Sequence, residues 1–258
     1  LYYANEKQDP HREVYELISE AKLFDIQTRT PSLANFKPKF NVKRKKIYFG
    51  IKDVKSLTGK TGDKAVEAIK LAEEELNKNI KKFTWVEILL FFAPLVSSTA
   101  FKALASIGFF RDFDGSITRN KALYDYEIYR TLTKAETAWI KNNYKDKKWS
   151  DFTECLKSLA PTKKEGGGTS KVARKQIVEN EIQLLLDPPY NLEDDPSWII
   201  DQEAKFLGCP ITLTKIEASN TSHANTSCKE IVNGKKGKGI CVAASVNRIS
   251  EYAIKKGE

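Results

Sequence analysis

Methionine is absent from all 258 residues, and histidine occurs only as His11 and His223. The lack of methionine has no physical reason that the chain itself supplies. The lack of histidine matters more. The four cysteines, Cys155, Cys209, Cys228 and Cys241, stand far apart, and two histidines cannot complete the close pairs that a zinc site requires. Isolated thiols in a reducing cytosol are the simpler reading. Long apolar runs are missing too. The longest, Trp85 to Val96, contains Glu87 and Pro94, is too short to cross a bilayer, and reads as a buried helix. Leu1-Tyr2-Tyr3 lacks the basic start and apolar stretch of a signal peptide, so a cytoplasmic location without membrane contact is expected. No close pair of acidic residues on strands is available to hold two magnesium ions. Asp194-Asp195 and Asp112–Asp114 stand beside Pro196 and Gly115 and read as helix starts and caps.

What is present is a chain long enough to bury a core in one or two domains, with 41% hydrophobic and 30% charged residues. Its 43 Lys and Arg exceed its 34 Asp and Glu by nine. Such a field suits phosphate partners, although soluble proteins without any share it. The positive charge gathers at Lys37–Lys46, Lys141–Lys148, Lys163–Lys175 and Lys229–Lys238, mostly between apolar segments.

Periodicity organises the rest. Residues 10–24 read as a helix with Val14, Leu17, Ile18 and Leu23 on one face. The Pro-punctuated stretch TPSLANFKPKF follows, and IYFG (47–50) alternates as a short strand. Ile51 to Leu57 and Asp63 to Leu76 read as two helices around Thr58-Gly59-Lys60-Thr61-Gly62. A second pair follows, Trp85–Phe92 and Thr99–Ile107, the latter stopped by Gly108. A helix beginning after Ser116 runs through RNKALYDYEIYRTL. Residues 141–175, with Gly166-Gly167-Gly168, read as a basic loop or linker. Helical pattern resumes over 174–186 and again over 195–207, where Trp198, Ile199 and Gln202 recur at helical spacing. The closing GKGICVAASVNRISEYAIKKGE is rich in β-branched and alternating residues, which predicts strands and a hairpin. The fold class expected is therefore mainly α with a β part at the C-terminus.

Several short motifs have plain explanations. Gly59-Lys60-Thr61 would need a glycine five residues earlier to form a phosphate loop, and Val54 stands there, so nucleotide hydrolysis is excluded. Asn220-Thr221-Ser222 and Asn225-Thr226-Ser227 match glycosylation acceptors, but without a secretory signal they read as a polar loop. Residues 51–76 carry more chemistry. A helix, a glycine-containing hairpin and a second helix point backbone N–H groups and the positive helix end outward. A phosphate oxygen can be held there without reading bases. Lys52, Lys55, Lys60 and Lys64 would add salt-dependent attraction. An ordinary helical hairpin with solvated lysines is the competing reading of this segment alone.

The order of segments adds to this. IYFGIKDVKSLTGKTGDKAVEAIK and FTWVEILLFFAPLVSSTAFKALASIGFFRDFDG resemble the two helix-hairpin-helix blocks of the alpha subunit of bacterial DNA polymerase III, the C family of polymerases. Arg119-Asn120 stands where that family commonly has an Asn-Arg pair. TPSLANFKPKF is similar to the stretch that closes its fingers region. DPSWIIDQEAKFLGCPIT resembles the helix that leads into its OB domain, and GKGICVAASVNRISEYAIKKGE the first OB strands. The resemblance covers most of the chain in order, least of all over 133–187. It departs from the family at the first hairpin, which is longer and lacks the first glycine, as a phage or otherwise divergent member would.

The resemblance implies a tandem helix-hairpin-helix domain at 47–135, preceded by the end of the fingers (1–46). It further implies a basic linker and helix (136–187), then a helix entering a truncated OB-fold (188–258). Duplex DNA contacts are expected from Lys52, Lys55, Ser56, Thr58, Gly59, Lys60, Thr61, Gly62 and Lys64. Further contacts are expected from Ser98, Thr99, Lys102, Arg119, Asn120 and Lys121, and from Arg248 at the OB part, which would lean toward single-stranded template. The sliding-clamp peptide of the family would fall at Gln183-Leu184-Leu185-Leu186, where the apolar face of a helix is the competing reading. Nucleotide transfer with magnesium belongs to the palm of the whole polymerase, and no catalytic residue or cofactor is expected here. A free-standing helix-hairpin-helix/OB nucleic-acid-binding protein and a clamp-interaction module are the alternatives.

Overall fold

The computed structural model describes residues 10–111, 117–159 and 169–244. Expectations for Asp112–Asp114, the Gly166–Gly168 linker and Arg248 lie outside these. The chain divides into two compact units, Leu1–Thr212 and Leu213–Glu258.

The first unit is mainly helical with one small sheet. Helix α1 (Pro10–Leu23) buries Val14 and Ile18, whereas Leu17, expected on the same face, is exposed. Strands β1 (Gln27–Arg29), β2 (Asn41–Lys43) and β3 (Lys46–Tyr48) form a sheet in the order β1-β3-β2. In it β1 runs parallel and β2 antiparallel to β3. Among the described residues the β structure sits in the N-terminal third. The strands expected at the C-terminus are not found among residues 237–244, the part of that segment that is described.

Residues 51–57, read as a helix from the sequence, form two 3₁₀ turns, Ile51–Asp53 and Lys55–Leu57, separated by Val54 in an extended conformation. Their purpose is burial in little space: Ile51, Val54 and Leu57 have no exposed surface. Helix α2 (Gly59–Leu76) then starts four residues earlier than the expected Asp63. The supposed hairpin loop is thus the first turn of α2 itself.

The apolar run from Trp85 is helical with a change of pitch. Helix α3 (Trp85–Glu87) opens on a capping box between Thr84 and Glu87, passes into a π turn over Ile88–Phe92, and ends in a 3₁₀ turn at Ala93–Leu95. All five π-turn side chains are buried. Helix α4 (Ser98–Ser106) is capped by Ser97, whose hydroxyl accepts from Ala100 N. An aromatic cluster locks these pieces together. Phe101 stacks on Tyr126 with centroids 3.9 Å apart and on Phe110 at 5.0 Å, and Trp85 meets Phe110 edge-on. Such pairs add about 0.5–1.5 kcal/mol each beyond their burial.

Helix α5 (Arg119–Thr131) is followed by α6 (Lys134–Lys147), α7 (Phe152–Ser158) and α8 (Thr169–Leu186). Much of the predicted basic linker is therefore helical. Its lysines lie on the outer side of α6, which buries Ile140 and Tyr144, while α7 buries Phe152, Cys155 and Leu156. Helix α9 (Pro196–Leu207) buries Ile200, Glu203 and Leu207. The apolar spacing had pointed to Trp198, Ile199 and Gln202, because a buried glutamate is invisible to a hydrophobic pattern.

The second unit has turns and the short helix α10 (Cys228–Val232), capped by Ser227. Asn225, one of the two glycosylation-like asparagines, has its amide occupied: Nδ2 donates to Gly239 O and Oδ1 accepts from Cys241 N.

Candidate nucleic-acid interface

Three groups of residues were expected to face phosphate, and their surroundings differ sharply. At the start of α2, Thr58, Gly59 and Lys60 are exposed, and Thr61 is half-buried. Thr58 is the N-cap, yet its side chain accepts no hydrogen bond from the helix. The first turn carries no acidic residue. In α4, α5, α6, α7, α9 and α10 the cap side chain does accept one. The leading N–H groups of α2 thus lack the usual side-chain oxygen and carry the positive end of the helix dipole. Lys55, Lys60 and Lys64 are exposed beside them and pair with no carboxylate among the described residues. Lys52 is already paired with Asp63. Ser56 is half-buried in a turn that packs against α4 and α9.

Gly62 is buried at the centre of this arrangement. A Cβ there would lie 2.1 Å from Leu57 O and 2.8 Å from Lys52 Cγ. The glycine lets the chain leaving the 3₁₀ turn pass directly over the first turn of α2. Gly59 differs: its φ is +57° and its surroundings are open.

The second group is at α4. Ser98 is half-buried, Thr99 exposed, and Lys102 forms an ion pair with Glu127. Because Ser97 caps this helix, its N-terminus is less free to take an anion than that of α2.

The third group is turned inward, which corrects the expectation for Arg119. Its guanidinium is buried. Nη1 donates to Ser106 O at 3.0 Å, and Nη2 donates to Glu203 Oε1 at 2.8 Å and to Thr212 Oγ1 at 3.3 Å. Glu203 has no exposed surface and also accepts from Ile211 N at 2.6 Å, Thr212 N at 2.7 Å and the Thr212 hydroxyl. Asp194 caps α5 from a distant part of the chain, taking the N–H groups of Arg119 and Asn120 at 3.0 Å each. Asn120 Nδ2 donates to Glu193 O. Asp195 caps α9 through Trp198 N, so both aspartates act as caps. Arg119 joins α4, α5 and α9 and cannot reach a phosphate without unfolding this network. Sequence reasoning missed Glu203, Ser106 and Thr212, and no local signal could have revealed a partner 84 residues away.

Lys121 pairs with the buried Asp125, which also accepts from Trp85 Nε1 at 2.8 Å. The pair borders a cleft of about 500 Å³ that Asp151 and Leu185 also line. Burial raises the Asp125 pKa from the ordinary carboxylate value, against the pull of Lys121 and Trp85. A raised folded-state pKa means that the native state holds its proton longer than the unfolded chain. Stability from this group is complete below the ordinary aspartate pKa and falls as pH rises through the raised value. Asp125→Asn keeps an acceptor for Trp85 and removes the buried charge, so its melting temperature should vary less across acidic pH than that of the parent. Asp125→Ala removes the carboxylate that accepts from Trp85 Nε1 and pairs with Lys121, and should cost ~1–3 kcal/mol. Thermal unfolding of both variants across pH checks the pair; equal pH profiles for Asp125→Asn and the parent would contradict it.

The clamp-like segment lies at the end of α8. Gln183 and Leu186 are exposed, but Leu185 is buried and the Leu184 carbonyl accepts from Tyr124 Oη at 2.9 Å. Half of the peptide is already engaged with the fold. The buried thiols of Cys155 and Cys209 are pushed up to about 12 by burial first and neighbouring carboxylates second, which leaves them protonated and unreactive at neutral pH. All four cysteines are free. Among the described residues no three His, Cys, Asp or Glu side chains converge in a metal-binding group, and no helix is long and apolar enough to cross a membrane.

Comparison with protein-family models and with curated proteins finds no match for this chain.

Proposed function

We propose that this chain grips duplex DNA by its backbone, without sequence preference, as the portion of a C-family replicative DNA polymerase that follows the fingers. The observation that carries the reading is the start of α2. A helix end without a side-chain cap or first-turn acid stands beside the unpaired Lys55, Lys60 and Lys64. Backbone N–H groups, a helix dipole and exposed ammonium groups together suit a phosphate oxygen and are indifferent to base identity. The ordered resemblance of residues 47–132 to tandem helix-hairpin-helix blocks supports the same assignment, as does the excess of positive charge. Magnesium-dependent nucleotide transfer belongs to the rest of such a polymerase. Template contact by the segment after α9, with Arg248, belongs to the same reading.

Duplexes of unrelated sequence should bind equally, and affinity should fall steeply between about 50 and 200 mM salt. The double variant Lys55→Glu/Lys60→Glu should weaken binding roughly tenfold or more, since each lost contact also flattens the salt dependence by about 0.9. Fluorescence anisotropy titrations at several salt concentrations measure both. Affinity that ignores salt, or is indifferent to the double variant, would remove the assignment.

A further inference from the structure

We infer that the β2–β3 hairpin is a second contact for the nucleic-acid backbone, separate from the start of α2 and extending the footprint along the same strand. The hairpin turns through Arg44 and Lys45, both in the left-handed region, with φ of +49° and +57°. Two-residue hairpins of this kind strongly prefer Asn-Gly, because β-carbons disfavour that conformation. Here the turn spends two long cations at the positions where they cost most. Protection of an edge strand does not explain the choice. β2 is an edge strand, and charge within it, such as Lys43, already blunts pairing with another chain; the turn positions need none. Local strain of this sort clusters at functional sites.

The surroundings point to a polyanion. Lys43, Arg44 and Lys45 are exposed and form no ion pair among the described residues. Lys37 and Lys39, also exposed, precede the hairpin. Their segment is bound to the start of the α2 region: Ile51 N donates to Lys37 O at 2.9 Å, and Lys52 N donates to Pro38 O at 3.0 Å. Pro38 lines one cleft together with Asp63, Val66 and Glu67 of α2. The cations of the hairpin and of the helix start are thus carried on one continuous piece of structure, with three-residue strands placing the turn about 10 Å from Tyr48. Successive phosphates on a strand can meet such a spread of cations. A compact acidic peptide has no need of it.

This inference rests on the α2 reading, and the test separates the two. Arg44→Asn/Lys45→Gly removes both charges while supplying the turn with its preferred residues, so the fold is retained. Duplex binding by the full chain should weaken roughly tenfold or more at about 100 mM salt. The slope of log K against log salt should flatten by about two, with the melting temperature unchanged or raised. Unchanged duplex affinity in this variant, beside a loss in Lys55→Glu/Lys60→Glu, overturns the hairpin contact and leaves the α2 contact standing. Unchanged affinity in both variants overturns both. Polyglutamate binding lost with duplex binding retained would assign the hairpin to an acidic protein and overturn the proposal.

Discussion

Arg119→Ala should destabilise the chain by ~3–5 kcal/mol, the cost of removing one partner from a buried charge pair. Glu203 would remain in a site with no solvent, still held by Ile211 N and Thr212 N but deprived of its counter-charge. Ser106 O would lose its donor in the same step. Glu203→Ala should cost a similar amount, because it strands the guanidinium and two backbone N–H groups together. Since both variants break one network, their effects should not add. Replacing both residues by apolar side chains of similar size should cost much less than the sum. Lysine at position 119 should not rescue, because a single ammonium cannot serve Ser106, Glu203 and Thr212 from one planar fork. Urea unfolding of the parent, the two alanine variants, their Arg119→Ala/Glu203→Ala combination, the double apolar variant and Arg119→Lys measures these effects. An unchanged midpoint for Arg119→Ala, with a loss of duplex affinity, would return Arg119 to the DNA-facing surface. The expected pattern is the reverse, a large shift in midpoint and little direct effect on affinity where the variant is still folded. Gly108 shares this constraint, for its left-handed φ of +76° coincides with an Arg119 Nε only 3.1 Å from where a Cβ would stand.

Arg119 also marks where reading a sequence stops working. Helices α1, α4, α5 and α9 were recognisable as helices from apolar spacing, since each needs only its own stripe, although Leu17 of α1 proves exposed. The buried face of α9 was nevertheless misplaced, because Glu203 occupies its centre and its partner belongs to α5. The sheet escaped notice in part because strands of three residues are too short to show alternation. Helices α6 and α7 were hidden beneath lysines, although Thr133 with Glu136 and Asp151 with Glu154 are capping pairs at the right spacing. In the proposed interface, the exposed lysines near α2 could be picked out from composition and order. Which of the remaining cations were already spent could not: Lys52, Lys102 and Lys121 each answer a carboxylate brought to them by the fold.

Gly62→Ala should be the most damaging single-methyl change at the proposed interface, and Gly59→Ala a mild one three residues away. At Gly62 the new carbon would lie 2.1 Å from Leu57 O, and a backbone oxygen cannot rotate aside as a side chain can. Either the Lys55–Leu57 turn lifts off α2, exposing Leu57, or α2 starts later. Both outcomes cost ~3 kcal/mol or more, at the upper end of overpacking effects. At Gly59 there is open space, and only the left-handed φ of +57° opposes a β-carbon, a cost of ~1–2 kcal/mol. The two variants also separate stability from binding. Lifting the turn moves Lys55 relative to Lys60 and spoils the joint approach to one phosphate, so Gly62→Ala should lose duplex affinity even at temperatures where it remains folded. Gly59→Ala should keep most of it. Parallel measurements of unfolding midpoint and duplex affinity decide the matter: equal behaviour of the two alanine variants would mean that the turn and the helix start are not one anion-holding unit.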